Sequence, residues 1–117
     1  MEKFMFLYVG GDMENMGLSP KEMEEQNRKW YTWIGDLAKE GIHLEGEPLV
    51  KGGKIVSGKD NKFVVTDGPF PEAKELVGGY SIINAENIDK AAEIAKGCPI
   101  FSAGGTVHVR AIAKLDM

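Results

Sequence analysis

Asp67 is the residue of this sequence whose setting best suits acid–base chemistry. It directly follows an apolar strand-like run over residues 62–66, and Pro69 stiffens the turn two residues later. A carboxylate held at the mouth of a cleft could have a raised pKa and take a proton from a bound molecule. The alternative left open is that Asp67 accepts hydrogen bonds from the backbone of its own turn.

Two further polar side chains, His108 and Arg110, alternate with valines in the segment 106–112. This alternation puts both on one face of a strand, where a cation and an imidazole could hold a developing anion. The other histidine, His43, follows the first predicted helix between two apolar residues, without metal-ligand spacing to His108. Cys98, placed just before a proline, has the setting of a buried small side chain. We therefore predict no metal site, and no glycine-rich loop indicates a nucleotide or other cofactor.

Several aromatic side chains are candidates to line an apolar binding site. Trp30 and Trp33 fall on one stripe of the first predicted helix, while Phe70 and Tyr80 follow Asp67 along the chain. In most helices such a stripe packs into a core or a dimer interface, and lining a ligand pocket is the alternative. The candidate ligand-binding residues are therefore Trp30, Phe70, Tyr80, His108 and Arg110, with Asp67 as the candidate catalytic residue.

Composition narrows the class of protein. The 117 residues are 43% hydrophobic and 27% charged, which suits one globular domain over residues 1–117. The formal net charge of −4 would repel a phosphate backbone, so nucleic acid is not an expected partner. No run approaches the roughly 18 apolar residues of a membrane span, and the N-terminal run is too short for a signal peptide. We expect a cytoplasmic protein with no membrane contact.

The elements that position these residues follow from periodicity and turn signals. An apolar strand over 3–9 ends at a glycine pair, and Ser19-Pro20 with Glu22 begins a helix that runs to about residue 40. A short meander is predicted over 44–66 and a strand over 79–83. Asn87 then caps a second helix, and the last strand covers 106–112.

This order predicts an α+β fold of the ferredoxin-like split β-α-β type, an antiparallel sheet with two helices on one face. The other face is left bare, although strand 3–9 carries apolar residues on both of its sides. Such a patch is larger than soluble monomers usually expose. We therefore expect a homodimer in which two sheets face each other as a dimeric α+β barrel.

Several motifs resemble those of one family. They are the stretch Thr66-Asp67-Gly68-Pro69-Phe70-Pro71-Glu72-Ala73-Lys74-Glu75, then Gly78-Gly79-Tyr80, Ala91-Ala92-Glu93-Ile94-Ala95, Cys98-Pro99 and Val107-His108-Val109-Arg110. Together they resemble the DGPF-type proteins of the YCII-related family, over most of the chain. The resemblance implies a dimeric α+β barrel and, because the role of the DGPF group is largely unassigned, no particular reaction.

Members with a proposed active site pair a histidine of the first helix with the aspartate of the Asp-Gly-Pro motif. Asp67 matches that aspartate, whereas the position resembling the histidine holds Trp30. Because an indole has only an N–H donor, it cannot replace an imidazole as acid or base. The resemblance therefore implies a functional role for Asp67 and its turn, and it does not imply a histidine–aspartate pair in this chain.

Three functions remain open from the sequence. The first is a homodimeric protein that binds a small, partly apolar molecule in a cleft near Asp67. The second is an isomerase or lyase acting on a small carbonyl compound, with Asp67 as base and Arg110 or His108 holding the anion. The third is an interaction or regulatory module that binds another protein.

Overall fold

The structure is a computed structural model and describes residues 1–11, 16–68 and 76–115. Its strands are β1 (Glu2–Val9), β2 (His43–Pro48), β3 (Lys54–Lys59), β4 (Lys62–Asp67), β5 (Val77–Ala85) and β6 (Thr106–Ala111). Its helices are α1 (Pro20–Lys39) and α2 (Ile88–Ala95), and a 3-10 helix spans Pro99–Ala103.

The first helix begins where the sequence predicted it. The Ser19 hydroxyl accepts a hydrogen bond from the Glu22 amide at 3.1 Å, and the Glu22 carboxylate accepts one from the Ser19 amide at 3.0 Å. These two bonds form a capping box, and they lower the pKa of Glu22. Gly41, with a φ of +75°, follows the end of α1 in the left-handed conformation that glycine adopts easily.

Four strands form one antiparallel sheet in the order β2-β5-β1-β6. The chain passes through α1 between β1 and β2, and through α2 between β5 and β6, which is the ferredoxin-like arrangement with an insertion before β5. The predicted α+β fold is thus confirmed. The sheet is open in the single chain, so the closed dimeric barrel stays a prediction.

Both helices pack on the same face of this sheet. Phe4, Phe6 and Tyr8 of β1 are buried there in one cluster with Ala91 of α2. Trp33 of α1 stacks on Phe6, with ring centroids 6.3 Å apart and planes 12° apart. The prediction of two helices on one face is therefore confirmed, and the core lies between them and the sheet.

Strands β3 and β4 form a separate two-stranded hairpin. Asp60 and Asn61 at its turn have φ values of 54° and 67°, which suit a type I′ turn. The sequence predicted one meander over 44–66, and that is wrong for β2, which pairs with β5 in the main sheet. Turn signals mark where strands end, whereas a pairing between segments 35 residues apart depends on the folded sheet.

Candidate functional site

A cavity of about 460 Å³ lies between α1 and the end of the sheet where β2, β5 and β1 meet. Its apolar wall comes from Trp30 and Ile34 of α1 and from Ile100 of the 3-10 helix. Its opposite wall is formed by strand residues with small or polar side chains. This volume lies within the range of cavities that bind small molecules.

Two strand glycines leave room for the cavity. Gly46 of β2 and Gly79 of β5 both line it, so no side chain fills the space at either position. Gly46 also lets β2 approach β5 closely. A Cβ atom there would lie 2.5 Å from the Tyr80 carbonyl oxygen and 3.0 Å from the Ser81 hydroxyl oxygen. Glycine at this position therefore determines the shape of the polar wall.

The polar wall carries a chain of three hydrogen-bonded side chains. The Tyr8 hydroxyl donates to the Ser81 Oγ at 2.7 Å, and the Ser81 Oγ lies 2.9 Å from the His43 Nε2. Ser81 is 1% exposed and is the buried polar residue of the described core. All three residues line the cavity. We refer to Tyr8, Ser81 and His43 as the hydroxyl–imidazole chain.

A β-bulge directs His43 into this chain. Gly46 pairs with Ser81 and Glu45 with Ile82, so regular alternation would turn Leu44 toward the helices and His43 away from them. The register shifts between His43 and Glu45, and His43 pairs with the buried Ile83 instead. The extra residue thus reverses the face on which His43 lies.

Burial keeps Tyr8 and His43, the two ends of the hydroxyl–imidazole chain, uncharged. It raises the pKa of the Tyr8 phenol far above its usual range, and the hydrogen bond to Ser81 offsets only part of that rise. Burial also lowers the pKa of the His43 imidazole. At neutral pH the site therefore presents a neutral phenol, an alcohol and a neutral imidazole, which can donate, accept and transfer protons.

Trp30 connects the apolar wall to the polar one. Its ring meets that of Tyr8 edge-on, with centroids 4.9 Å apart and planes 87° apart. Trp30 is half-buried and lines the cavity, while Trp33 beside it packs on Phe6. Both tryptophans thus pack against the core, and Trp30 also borders the cavity, so its role in binding a ligand stays a prediction.

Only some of the ligand-binding residues proposed from the sequence line the cavity. Trp30 and Tyr80 both line the cavity, although strand alternation places the Tyr80 side chain on the face opposite to Ser81. His108 and Arg110 pair with Leu7 and Met5, so they lie on the sheet face away from the helices and the cavity. Both are exposed there, and their proposed role in ligand binding stays a prediction.

Asp67 ends β4 at the base of the hairpin. Its side chain is 84% exposed and forms an ion pair with Lys54 across the hairpin. It is not among the described residues that line the cavity. Phe70 lies outside the described residues, and its place in the ligand site stays a prediction. The assignment of Asp67 as a base stays a prediction.

Sequence reasoning did not identify the hydroxyl–imidazole chain. Tyr8 and Ser81 are 73 positions apart and His43 and Ser81 are 38 apart, so no local motif joins them. One sequence signal was available, since Ser81 is a polar residue in an otherwise apolar strand and needs a hydrogen-bond partner once buried.

A second, more open depression lies between α1 and the segment 97–102. Trp33, Gly97 and Cys98 contribute to it, and charged side chains such as Glu25 and Arg28 surround it. Cys98 itself is buried, as the sequence predicted, and this burial raises its thiol pKa to about 11. Across the described parts of the chain, no three histidine, cysteine or acidic residues form a group that could hold a metal ion.

Helices long and apolar enough to cross a membrane are absent from residues 1–11, 16–68 and 76–115.

Comparison with protein families gives a match to the YCII-related domain over residues 6–116. No curated protein matches the chain significantly. Among solved structures, the chain is similar to the 5-chloro-2-hydroxyhydroquinone dehydrochlorinase TftG from Burkholderia phenoliruptrix AC1100, solved in complex with 2,5-dihydroxybenzoquinone. That alignment covers 92% of this chain and 90% of the other, with 16% identity and a TM-score of 0.48.

Proposed function

This chain belongs to the YCII-related domain family, and we propose that it binds a small, partly apolar molecule in the cavity between α1 and strands β2, β5 and β1. The observation that carries the proposal is the buried hydroxyl–imidazole chain on the wall of a largely apolar cavity. Ligand sites commonly combine apolar walls with a few convergent polar groups.

The two walls indicate the kind of ligand. Trp30 and Ile34 offer flat apolar surface, which suits a ring or a short branched hydrocarbon. His43 and Tyr8 offer neutral donors and acceptors, so the polar group of the ligand is expected to be a carbonyl or hydroxyl. Asp67 is not among the described residues that line the cavity, so the binding site is proposed at the end of the main sheet rather than at the turn after β4.

A fragment screen tests this proposal. We would measure binding of small aromatic and alicyclic carbonyl and hydroxyl compounds by tryptophan fluorescence and by thermal shift. Trp30→Leu is expected to weaken a wild-type binder at least about tenfold, because it removes the aromatic wall. The matched control is Phe101→Leu, which removes an exposed aromatic of the 3-10 helix that is not among the described cavity residues. Equal affinity in the Trp30 and Phe101 variants would contradict the proposal.

The functional unit is proposed to be a homodimer in the cytoplasm. The Cα radius of gyration is 16.3 Å, against about 13 Å for a compact domain of this size, and the smallest dimension is 19 Å. Val56, Phe63 and Val65 share one face of the hairpin and are 63%, 67% and 60% exposed. A two-stranded hairpin is seldom stable without packing on one face. A second copy related by two-fold symmetry would cover this face in both chains at once.

A further inference from the structure

The hydroxyl–imidazole chain can carry its hydrogen bonds in either of two directions. In the first, Tyr8 donates to Ser81 and Ser81 donates to the His43 Nε2, which places the imidazole proton on Nδ1. In the second, the Nε2–H donates to Ser81 and Ser81 donates to Tyr8. The Tyr8 proton is then available to a ligand, and Nδ1 holds a free lone pair.

In each direction, one end of the hydroxyl–imidazole chain is a hydrogen-bond donor to a ligand and the other end is an acceptor. The first presents a donor at the His43 Nδ1 and an acceptor at the Tyr8 oxygen, while the second presents an acceptor at Nδ1 and a donor at Tyr8. A ligand that contacts both ends therefore needs one donor and one acceptor. An enolisable carbonyl compound meets both demands, because its ketone and enol forms exchange a donor and an acceptor.

We propose that the hydroxyl–imidazole chain is a proton relay that interconverts the keto and enol forms of a small carbonyl compound bound in the cavity. This inference rests on the proposed binding function and adds the reaction and the substrate class. His43 and Tyr8 are the residues that touch the substrate. Ser81, at 1% exposure, is a positioning residue that passes the proton between them.

The proton transfers balance without a further reactant. The His43 Nδ1 takes the proton from the carbon next to the carbonyl, and the Nε2 proton passes to the Ser81 oxygen. The Ser81 proton passes to the Tyr8 oxygen, and the Tyr8 proton passes to the carbonyl oxygen. The C–H bond breaks, an O–H bond forms and the C=C bond of the enol replaces the C=O bond. No group is oxidised or reduced. Water then takes the Nδ1 proton and returns one to Nε2 while the two hydroxyls rotate, which restores the starting direction.

Burial supports this assignment. Because the Tyr8 phenol is buried and hydrogen-bonded, it stays protonated and can donate to a carbonyl oxygen at neutral pH. The Trp30 ring packs in a T-shaped arrangement with the Tyr8 ring and limits the movement of the phenol. A general base and a general acid joined through one hydroxyl fit the geometric requirements for acid–base catalysis.

Hydrogen–deuterium exchange tests the relay. Phenylpyruvate, cyclohexanone and acetophenone would be incubated with the protein in deuterated buffer, and exchange next to the carbonyl would be followed by NMR. We expect acceleration of about 100-fold over buffer for at least one compound. Tyr8→Phe, Ser81→Ala and His43→Gln should each remove most of it at saturating compound, where a weaker affinity cannot account for the loss. Ser57→Ala, on the exposed hairpin, is the matched serine control and should keep the wild-type rate.

The outcomes separate the relay from the binding function. Absence of acceleration with all three compounds overturns the relay, and saturable Trp30-dependent binding in the same samples would leave the binding function standing. Exchange that persists in Tyr8→Phe also overturns the relay, since that variant keeps the ring and removes only the hydroxyl. Acceleration that is lost in all three relay variants and kept in Ser57→Ala supports it. Loss of both exchange and binding for every fragment would reject both proposals.

Discussion

The His43 Nε2 lies 2.9 Å from the Ser81 Oγ across the pairing of β2 with β5. This contact exists because the register shifts between His43 and Glu45 and because Gly46 lets the two strands approach closely. It joins an edge strand to the buried centre of the sheet. The hydrogen-bond chain and the proposed chemistry both depend on it.

Ser81→Ala should destabilise the protein. It leaves the Tyr8 hydroxyl and the His43 Nε2 without the oxygen that both contact, and Tyr8 is buried. Loss of a hydrogen-bond partner for a buried polar group costs about 1–3 kcal/mol. Urea unfolding would measure this change. Ser57→Ala, at an exposed hairpin position, should stay within about 0.5 kcal/mol of wild type. Equal stability of the two variants would contradict a structural role for the chain.

Gly46→Ala should displace the backbone of β2 and thereby change the geometry of the site. The added Cβ would lie 2.5 Å from the Tyr80 carbonyl oxygen, so β2 would have to move away from β5. We expect a loss of about 1–3 kcal/mol, as for other overpacking substitutions, and a changed NMR signal for His43. Gly35→Ala in α1 is the control, since its added Cβ would meet no atom within 4 Å beyond its chain neighbours and the adjacent helix backbone, and alanine favours a helix. A Gly46→Ala protein as stable as Gly35→Ala would show that close approach is not needed.

Stability should depend on pH through His43. Because burial lowers its pKa below 6.5 in the folded protein, the unfolded chain binds the proton more readily. The free energy of unfolding should therefore fall as the pH drops below about 6.5, and the contribution of His43 should level off below its folded pKa. Urea unfolding at pH 7.5 and 5.5 should show a smaller decline for His43→Gln than for wild type. Identical declines in wild type and His43→Gln would contradict the burial argument.

The hairpin should control the oligomeric state. Val65→Lys places a charge on the face that carries Val56 and Phe63, and it is expected to convert a dimer to a monomer because burying an unpaired charge is costly. Ser57→Lys puts the same charge on the other face and should leave the dimer intact. Sedimentation equilibrium at micromolar concentration distinguishes these states. A monomeric wild-type protein, or a dimeric Val65→Lys protein, would reject the proposed interface.

Much of the fold could be predicted from local sequence, and the site could not. Ser19, Pro20 and Glu22 mark the start of α1 because a capping box is a short-range arrangement. The strand and helix order then restricts the topology to few choices. By contrast, the side of the sheet on which His43 lies depends on one bulge, which has no sequence signature here. Asp67 had a sequence setting that suits a general base. Its ion pair with Lys54 depends on the register of the hairpin, which the sequence does not show.

Backbone NMR mapping of a bound fragment tests the central claim most directly. The claim is that small molecules bind between α1 and the end of the main sheet, and it predicts saturable shifts of the Trp30 indole N–H and of the Gly79 and Ser81 amides. Asp67 on the hairpin and Gly97 at the second depression should show little change. Saturable shifts confined to Asp67 or Gly97, with Gly79 and Ser81 unmoved, would contradict the account.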